Sequence, residues 1–482
     1  MTPRYTYVVA FAWLLSACDL APAYRAPLVT VPTDYKETGP WQPAKPMDGL
    51  PRGAWWQQYE DATLDGLEDR IGPANPDLAA AVARYDQARA FAAEAAAGLY
   101  PQAELDGFLS TDKQSQDRPL RGAAQPNYYG ANQLDVAASY EIDIWGKLRN
   151  EAAAGVASAQ ASAADLATVH LSLQGELATD YFLLRGLDAD AGLLGETTND
   201  YQEALDLTRR RFEGKIASGL DVSRAQTQLD TVRATLADIY AQRTLMEHAI
   251  AVLVGEPASD FSIPAQVISF RLPDVPAGVP SELLQRRPDI AEAERAVSAA
   301  NSEIGVARAA FYPSFSLNLL GGTQSTQLNL FSWPNTFWTL GPSVTLPLLT
   351  GGALDAQEAA AYAKFREAGA NYRATVLNAY REVEDNLALR QWLGREFADD
   401  EAGAKAAQRS LDIALNLYRD GAESYLEVVT AQTALLQAQQ AALDIRTRLS
   451  VANVALIRAL GGGWDTTDLP SDRDATRLSD RK

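Results

Sequence analysis

Gln133-Leu134-Asp135-Val136-Ala137-Ala138-Ser139-Tyr140-Glu141-Ile142-Asp143-Ile144 alternates along its length. Leu134, Val136, Ala138, Tyr140, Ile142 and Ile144 share one face; Gln133, Asp135, Ser139, Glu141 and Asp143 share the other. A period of two over about ten residues is a β-strand with an apolar medium on one side and water on the other. The length suits a strand of a membrane barrel, although a soluble sheet with one wet face alternates in the same way. Phe337 to Leu348 repeats the pattern, with Trp338, Leu340, Val344, Leu346 and Leu348 opposite Thr339, Ser343 and Thr345. Earlier partners are expected over 102–111 and 314–320. Tyr100, Tyr128, Tyr129, Phe311, Tyr312, Trp333, Phe337 and Trp338 lie near the strand ends, where interfacial girdles sit, and favour the barrel.

Four strands cannot close a barrel in lipid. Known membrane barrels have about eight or more, and an open edge leaves backbone groups unpaired at several kcal/mol each. Several chains must therefore share one barrel. Two would give about eight strands and a filled interior; three would give about twelve and room for water. The acidic and hydroxyl-bearing inner faces favour three.

The strands recur because the chain is a tandem repeat. Asn75-Pro76-Asp77-Leu78 matches Arg287-Pro288-Asp289-Ile290, and Tyr100-Pro101 matches Tyr312-Pro313. Leu220-Asp221-Val222, Ala225-Gln226-Thr227 and Leu229 match Leu426-Glu427-Val428, Ala431-Gln432-Thr433 and Leu435; Gly255 matches Gly461. Each copy reads helix, strand, strand, long helical region. No proline interrupts residues 127–256 or 348–469, spans rich in strong helix formers. Val222, Ala225, Leu229, Val232, Leu236 and Ile239 step by three and four, a heptad seam repeated at Val428, Ala431, Leu435, Ala442, Ile445 and Leu449. Each span turns once, near Gly214 to Gly219 and Gly421 to Ser424. Helices of about 40–60 residues would be roughly 60–90 Å long, rods rather than parts of a globule.

The 482 residues carry 62 acids and 42 bases, a formal charge of −20, which speaks against nucleic acid as a partner. One cysteine, Cys18, and two histidines, His170 and His248, nearly empty the list of thiol, zinc and histidine-centred sites. Neither a catalytic residue nor a metal or other cofactor is expected. Arg287-Pro288-Asp289 reads as a helix start, and Gly461-Gly462-Gly463 as a helix end rather than a phosphate loop.

At the N-terminus, Val8 to Leu15 forms an apolar run after Arg4, too short to cross a bilayer core of about 30 Å. Leu15-Ser16-Ala17-Cys18 resembles the bacterial lipobox. Cleavage before Cys18 would leave a thiol and an amino group to be acylated, each buried methylene adding about 0.8 kcal/mol of anchoring. Asp19 follows, and an acid there resembles an enteric signal for retention in the inner membrane. The expected segments are a signal peptide over 1–17, a lipidated extension over 18–54 and a first repeat over 55–260 (strands 102–111 and 133–144, long helices 150–255). A linker over 261–280, a second repeat over 281–464 (strands 314–320 and 337–348, long helices 352–461) and a polar, disordered tail over 465–482 complete the chain.

Taken in order, several further marks resemble the TolC-like outer membrane factors, and within them the NodT-type efflux lipoproteins. They are Pro22-x-Tyr24, Trp55-Trp56 with Asp61 and Leu64, Tyr140-Glu141-Ile142-Asp143-Ile144-Trp145-Gly146-Lys147-Leu148-Arg149, Arg286-Arg287-Pro288-Asp289-Ile290, and Leu346-Pro347-Leu348-Leu349-Thr350-Gly351-Gly352. The resemblance covers nearly the whole chain after the lipobox. It implies a mainly α-helical protein with a transmembrane β-barrel part, assembled as a homotrimer: twelve strands in the outer membrane continued by a twelve-helix periplasmic tunnel. It also implies a passive, gated exit duct for small molecules, joined by a periplasmic adaptor to an inner-membrane pump of the resistance-nodulation-division class. A protein-secretion conduit of the same shape and a pore-less periplasmic coiled-coil scaffold are the alternatives.

The same resemblance places a periplasmic gate between Tyr418 and Thr433. Glu427 stands at a commonly acidic position, Thr430 where a second acid is usual, Leu426 at an apolar constriction and Tyr418 at a tethering aromatic, with Glu423 beside them. A threefold ring of Glu427 would concentrate negative potential in a narrow passage and attract cations. The plainer reading of Glu427 is a solvated charge near a turn. Ala217, Ser218, Gly219, Gly421 and Ser424 mark the tips, as adaptor-docking positions or simply as turn formers.

Overall fold

The computed structural model describes residues 19–38, 53–115, 117, 126–268, 272–275 and 280–478. Cys18 and the expected signal peptide lie outside them. The first copy contains α1 (Ala62–Ala74), α2 (Pro76–Ala97), β1 (Gln102–Lys113), β2 (Tyr128–Glu141), α3 (Lys147–Glu213) and α4 (Gly219–Leu253). The second contains α5 (Leu283–Arg286), α6 (Pro288–Ala309), β3 (Ser314–Ser325), β4 (Thr336–Thr345), α7 (Ala353–Arg419) and α8 (Tyr425–Ala459). Helices α3 and α7 each have 67 residues, α4 and α8 have 35, and α2 and α6 have 22. The repeat in sequence is thus a repeat of element lengths.

The expected helices of 40–60 residues are corrected by this asymmetry, since each turn lies off centre. One unbroken rod, about 100 Å long, is flanked by two shorter helices meeting end to end: α2 and α4 along α3, α6 and α8 along α7. The junctions need glycine. A Cβ on Gly255 (φ +70) would lie 2.3 Å from the Ala74 carbonyl oxygen, and one on Gly461 (φ +94) 1.9 Å from that of Arg286. Beside each glycine a side chain ties the helices. Asn75 Nδ2 donates to the Leu253 carbonyl at 2.9 Å, and Arg287 Nη1 to the Ala459 carbonyl at 2.9 Å.

The four strands form one antiparallel sheet in the order β1-β2-β3-β4. The strand read as 133–144 starts earlier and ends earlier, at Tyr128 and Glu141. Beyond it Asp143 turns back to accept the amides of Leu148 (3.2 Å) and Arg149 (3.0 Å) and starts α3. The 337–348 strand ends at Thr345, opposite the first residue of β3, before Pro347, which lacks an N–H. Strands β1 and β3 run on to Lys113 and Ser325, because small and polar residues pair through the backbone without apolar alternation.

The two largest of four apolar clusters among the described residues hold most of the rods together. The larger gathers Trp55, Leu64, Ile71, Leu177, Tyr181, Phe182, Val376 and Leu456. The other, towards the turns, contains Ala225, Leu229, Val232, Ile239 and Val428 with Val222 and Leu236 at its margin, which is the seam read from the heptads. The tail expected to be disordered is ordered through Leu478. Asp465 and Ser471 cap short helical turns, and Ala475 of α9 (Asp472–Ala475) is fully buried against Ala92 and Ala159. No described helix is long and apolar enough to cross a membrane.

Candidate functional site: sheet faces and helical tips

Register sorts the sheet into two faces. Glu104, Asp106, Asp112, Gln133, Asp135, Ser139, Glu141, Ser316, Asn318, Ser343 and Thr345 fall on one. The other carries Leu105, Leu109, Leu134, Val136, Tyr140, Phe315, Leu317, Leu319, Trp338, Leu340 and Val344. Asp106 stands directly opposite Asp135, which is buried and accepts from Gln133 Nε2 at 2.8 Å. Strands β1 and β4 each pair on one side only. At the base of the sheet Trp145 Nε1 donates to the Pro313 carbonyl at 2.8 Å, and its ring lies 4.7 Å from that of Tyr312.

The opposite end is built by two turns. Ser218 begins α4 with a reciprocal cap: its Oγ accepts from the Asp221 amide at 3.2 Å, and its own amide donates to the Asp221 carboxylate at 3.0 Å. Gly219 follows on the first turn, and Ala217 is half-buried. In the second turn Gly421 takes φ +77 and Ser424 precedes α8 without a side-chain cap. Glu427 and Thr430 share one face of α8 by their spacing, Glu423 lies in the turn just before that helix, and all three are exposed. Leu426 is 44% exposed, and Thr430 Oγ1 donates to its carbonyl at 2.9 Å. Tyr418 alone among the expected gate residues is buried.

Tyr418 is held by residues that the sequence reading passed over. Its ring lies 5.3 Å from that of Tyr425, and the Arg211 guanidinium sits 4.5 Å above it. Arg211 Nη1 donates to the carbonyls of Tyr418 (2.6 Å) and Arg419 (3.3 Å), the unpaired end of α7. A first-copy cation therefore caps a second-copy helix. Burial pushes the Tyr425 hydroxyl up to about 12. The signal was legible: at the repeat offset Phe212 corresponds to Tyr418, whereas Arg211 falls opposite Leu417, a break in the symmetry. Between α4 and α8, Gln228 Nε2 donates to Thr433 Oγ1 at 3.2 Å.

Comparison with known proteins agrees with this architecture. The family model of the outer membrane efflux proteins matches residues 72–256 and 279–462, one match per copy. The antibiotic efflux pump outer membrane protein ArpC of Pseudomonas putida is 32% identical over 470 residues, covering 96% of each chain. The cation efflux system protein CusC of Escherichia coli strain K12 is 30% identical, covering 96% of this chain and 100% of its own. Among solved structures, the outer membrane channel CmeC of Campylobacter jejuni superposes with a TM-score of 0.87 at 25% identity, covering 94% of this chain and 96% of its own. The chain belongs to the outer membrane efflux protein family and is an exit channel of the Gram-negative outer membrane whose helices extend into the periplasm.

Proposed function

We propose that three copies of the chain close one twelve-stranded barrel, lipid outside and water inside, continued by a twelve-helix tunnel. The observation that carries this reading is the sheet with two unpaired edges, one acid-bearing face and one apolar face. Closing a ring of such sheets pairs both edges and gives the apolar face to lipid. The duct passes small molecules delivered by an inner-membrane pump of the resistance-nodulation-division class through a periplasmic adaptor. Its relatives are named for antibiotic and cation efflux, and no single cargo is assigned to this chain.

The periplasmic end is the gate. Glu427, with Glu423 beside it, gives it negative potential, the neutral Thr430 leaves that potential weaker than an acid at that position would, and Leu426 narrows it. Tyr418, clamped by Arg211, tethers the second turn to the first. Ala217, Ser218, Gly219, Gly421 and Ser424 are the tips that meet the adaptor. Cys18 is the acylated residue. Crosslinking cysteines placed on β1 and β4 tests the assembly: trimer-sized species are expected, and bands no larger than a dimer would overturn it. Cys18 acylation is checked by the intact mass, which should exceed that of the chain from residue 18 by the acyl groups.

A further inference from the structure

Asp19 lies beside Cys18 and would be read as an address if its side chain did nothing else. Its Oδ1 accepts two hydrogen bonds, from the Ala21 amide at 3.0 Å and from Asn150 Nδ2 at 2.8 Å. Asn150 is buried on the first turn of α3, and the same amide also donates to the Gly146 carbonyl at 2.7 Å. The seat leaves no room for larger neighbours. A Cβ on Gly305 of α6 would lie 2.7 Å from Asn150 Nδ2 and 2.8 Å from the Ala21 Cβ, and one on Gly146 3.3 Å from Asn150 Nδ2.

The next residues are fixed in the same way. Arg308 Nη1 donates to the Leu20 carbonyl at 3.2 Å while its Nε holds Glu358 of α7 at 3.2 Å. Asn301 Nδ2 donates to the Pro22 carbonyl at 2.9 Å, and the Tyr24 hydroxyl bonds Glu294. Further down, the amides of Lys36 (2.7 Å) and Glu37 (3.0 Å) donate to the two carboxylate oxygens of Glu384. Residues 19–38 thus form a strap from the sheet–helix junction along α6 and α7, touching both copies of the repeat.

We propose that Asp19 is the pin of this strap, seated by Asn150, so that the acid next to Cys18 serves docking and not membrane address. The chain's outer-membrane place then does not depend on a neutral residue at position 19. The seat also fastens the N-terminal segment to the wall at the end of the strands, where the membrane interface lies. The docking itself stands without acylation. Only the anchoring consequence rests on the Cys18 reading, and the intact mass of each sample tests that part separately.

Limited trypsin digestion of the detergent-extracted full chain, followed at the Arg25–Ala26 bond, reads the strap directly. Loss of the hydrogen bond between Asn150 and residue 19 should open the segment about tenfold more often, so Asp19→Ser and Asn150→Ala should be cut about tenfold faster. Asp19→Asn, which keeps an acceptor oxygen, should be cut close to the parent rate. Fractionation of the two membranes should find every variant in the outer one. Cutting of Asp19→Ser at the parent rate, or movement of Asp19→Ser between the membranes, would overturn the proposal. If Asn150→Ala misfolds, the Asp19 pair still decides.

Discussion

Replacing Arg211 by alanine should unlatch the periplasmic end. The guanidinium makes one short hydrogen bond to the Tyr418 carbonyl (2.6 Å), a longer one to that of Arg419 (3.3 Å), and a ring contact at 4.5 Å. A hydrogen bond from a charged donor is worth about 1.5–3 kcal/mol, and an exposed cation–π contact about 0.5–1 kcal/mol. Arg211 is half-buried, so the lower ends apply, about 2 kcal/mol per copy. Arg211 and the α7 terminus sit on different turns, so the contact exists only while the turns are together. Its loss would move the closed–open balance about thirtyfold per copy towards open. Single-channel recording in planar bilayers should show longer and more frequent openings in Arg211→Ala. Arg211→Lys, which keeps the charge but not the fork, should fall between. An intact oligomer whose gating matches the parent in both variants would refute the latch.

Other parts of the account yield further expectations. Glu427→Gln should lower cation selectivity of the closed pore and Thr430→Asp should raise block by divalent cations, both read from reversal potentials and conductance. Burial pushes Glu68 up to about 9, well above the usual carboxylate range, and neither of its oxygens has a hydrogen-bond partner. The unfolded chain releases that proton near pH 4.5 while the folded chain keeps it to about 9, so stability falls as pH rises between the two. Glu68→Gln should therefore raise the unfolding free energy more at pH 8 than at pH 5, by an amount on the order of a few kcal/mol; equal gains at both pH values would contradict this. Gly461→Ala should cost about 2–4 kcal/mol or prevent assembly, whereas Gly66→Ala, inside α1 with open space around its Cβ position, should raise the thermal stability slightly, by about 0.5–1 kcal/mol.

The sequence was most legible where periodicity governs packing. Ala225, Leu229, Val232 and Ile239, picked by heptad steps alone, are buried together, and Leu134, Val136 and Tyr140 share the apolar face of β2. Strand ends were less legible, because Gly321 to Ser325 pair through backbone groups that side-chain alternation does not report. Unequal helix lengths were missed because the turn residues mark where a chain reverses, not which arm is longer. Arg211 escaped because its partners are backbone carbonyls in the other copy, more than 200 residues away. The ordered tail escaped because Ala475 is one small residue filling a notch between α2 and α3, without any periodic pattern.

The central claim is that incomplete sheets from three chains close one pore. Native mass spectrometry of the detergent-extracted protein, with planar-bilayer recording on the same sample, tests it most directly. Three chains per particle and a small, cation-selective conductance are predicted, since Glu104, Asp106, Asp112 and Glu141 lie on the acidic face of the sheet, whose strand residues include no lysine or arginine. A monomer or dimer without conductance would contradict the account.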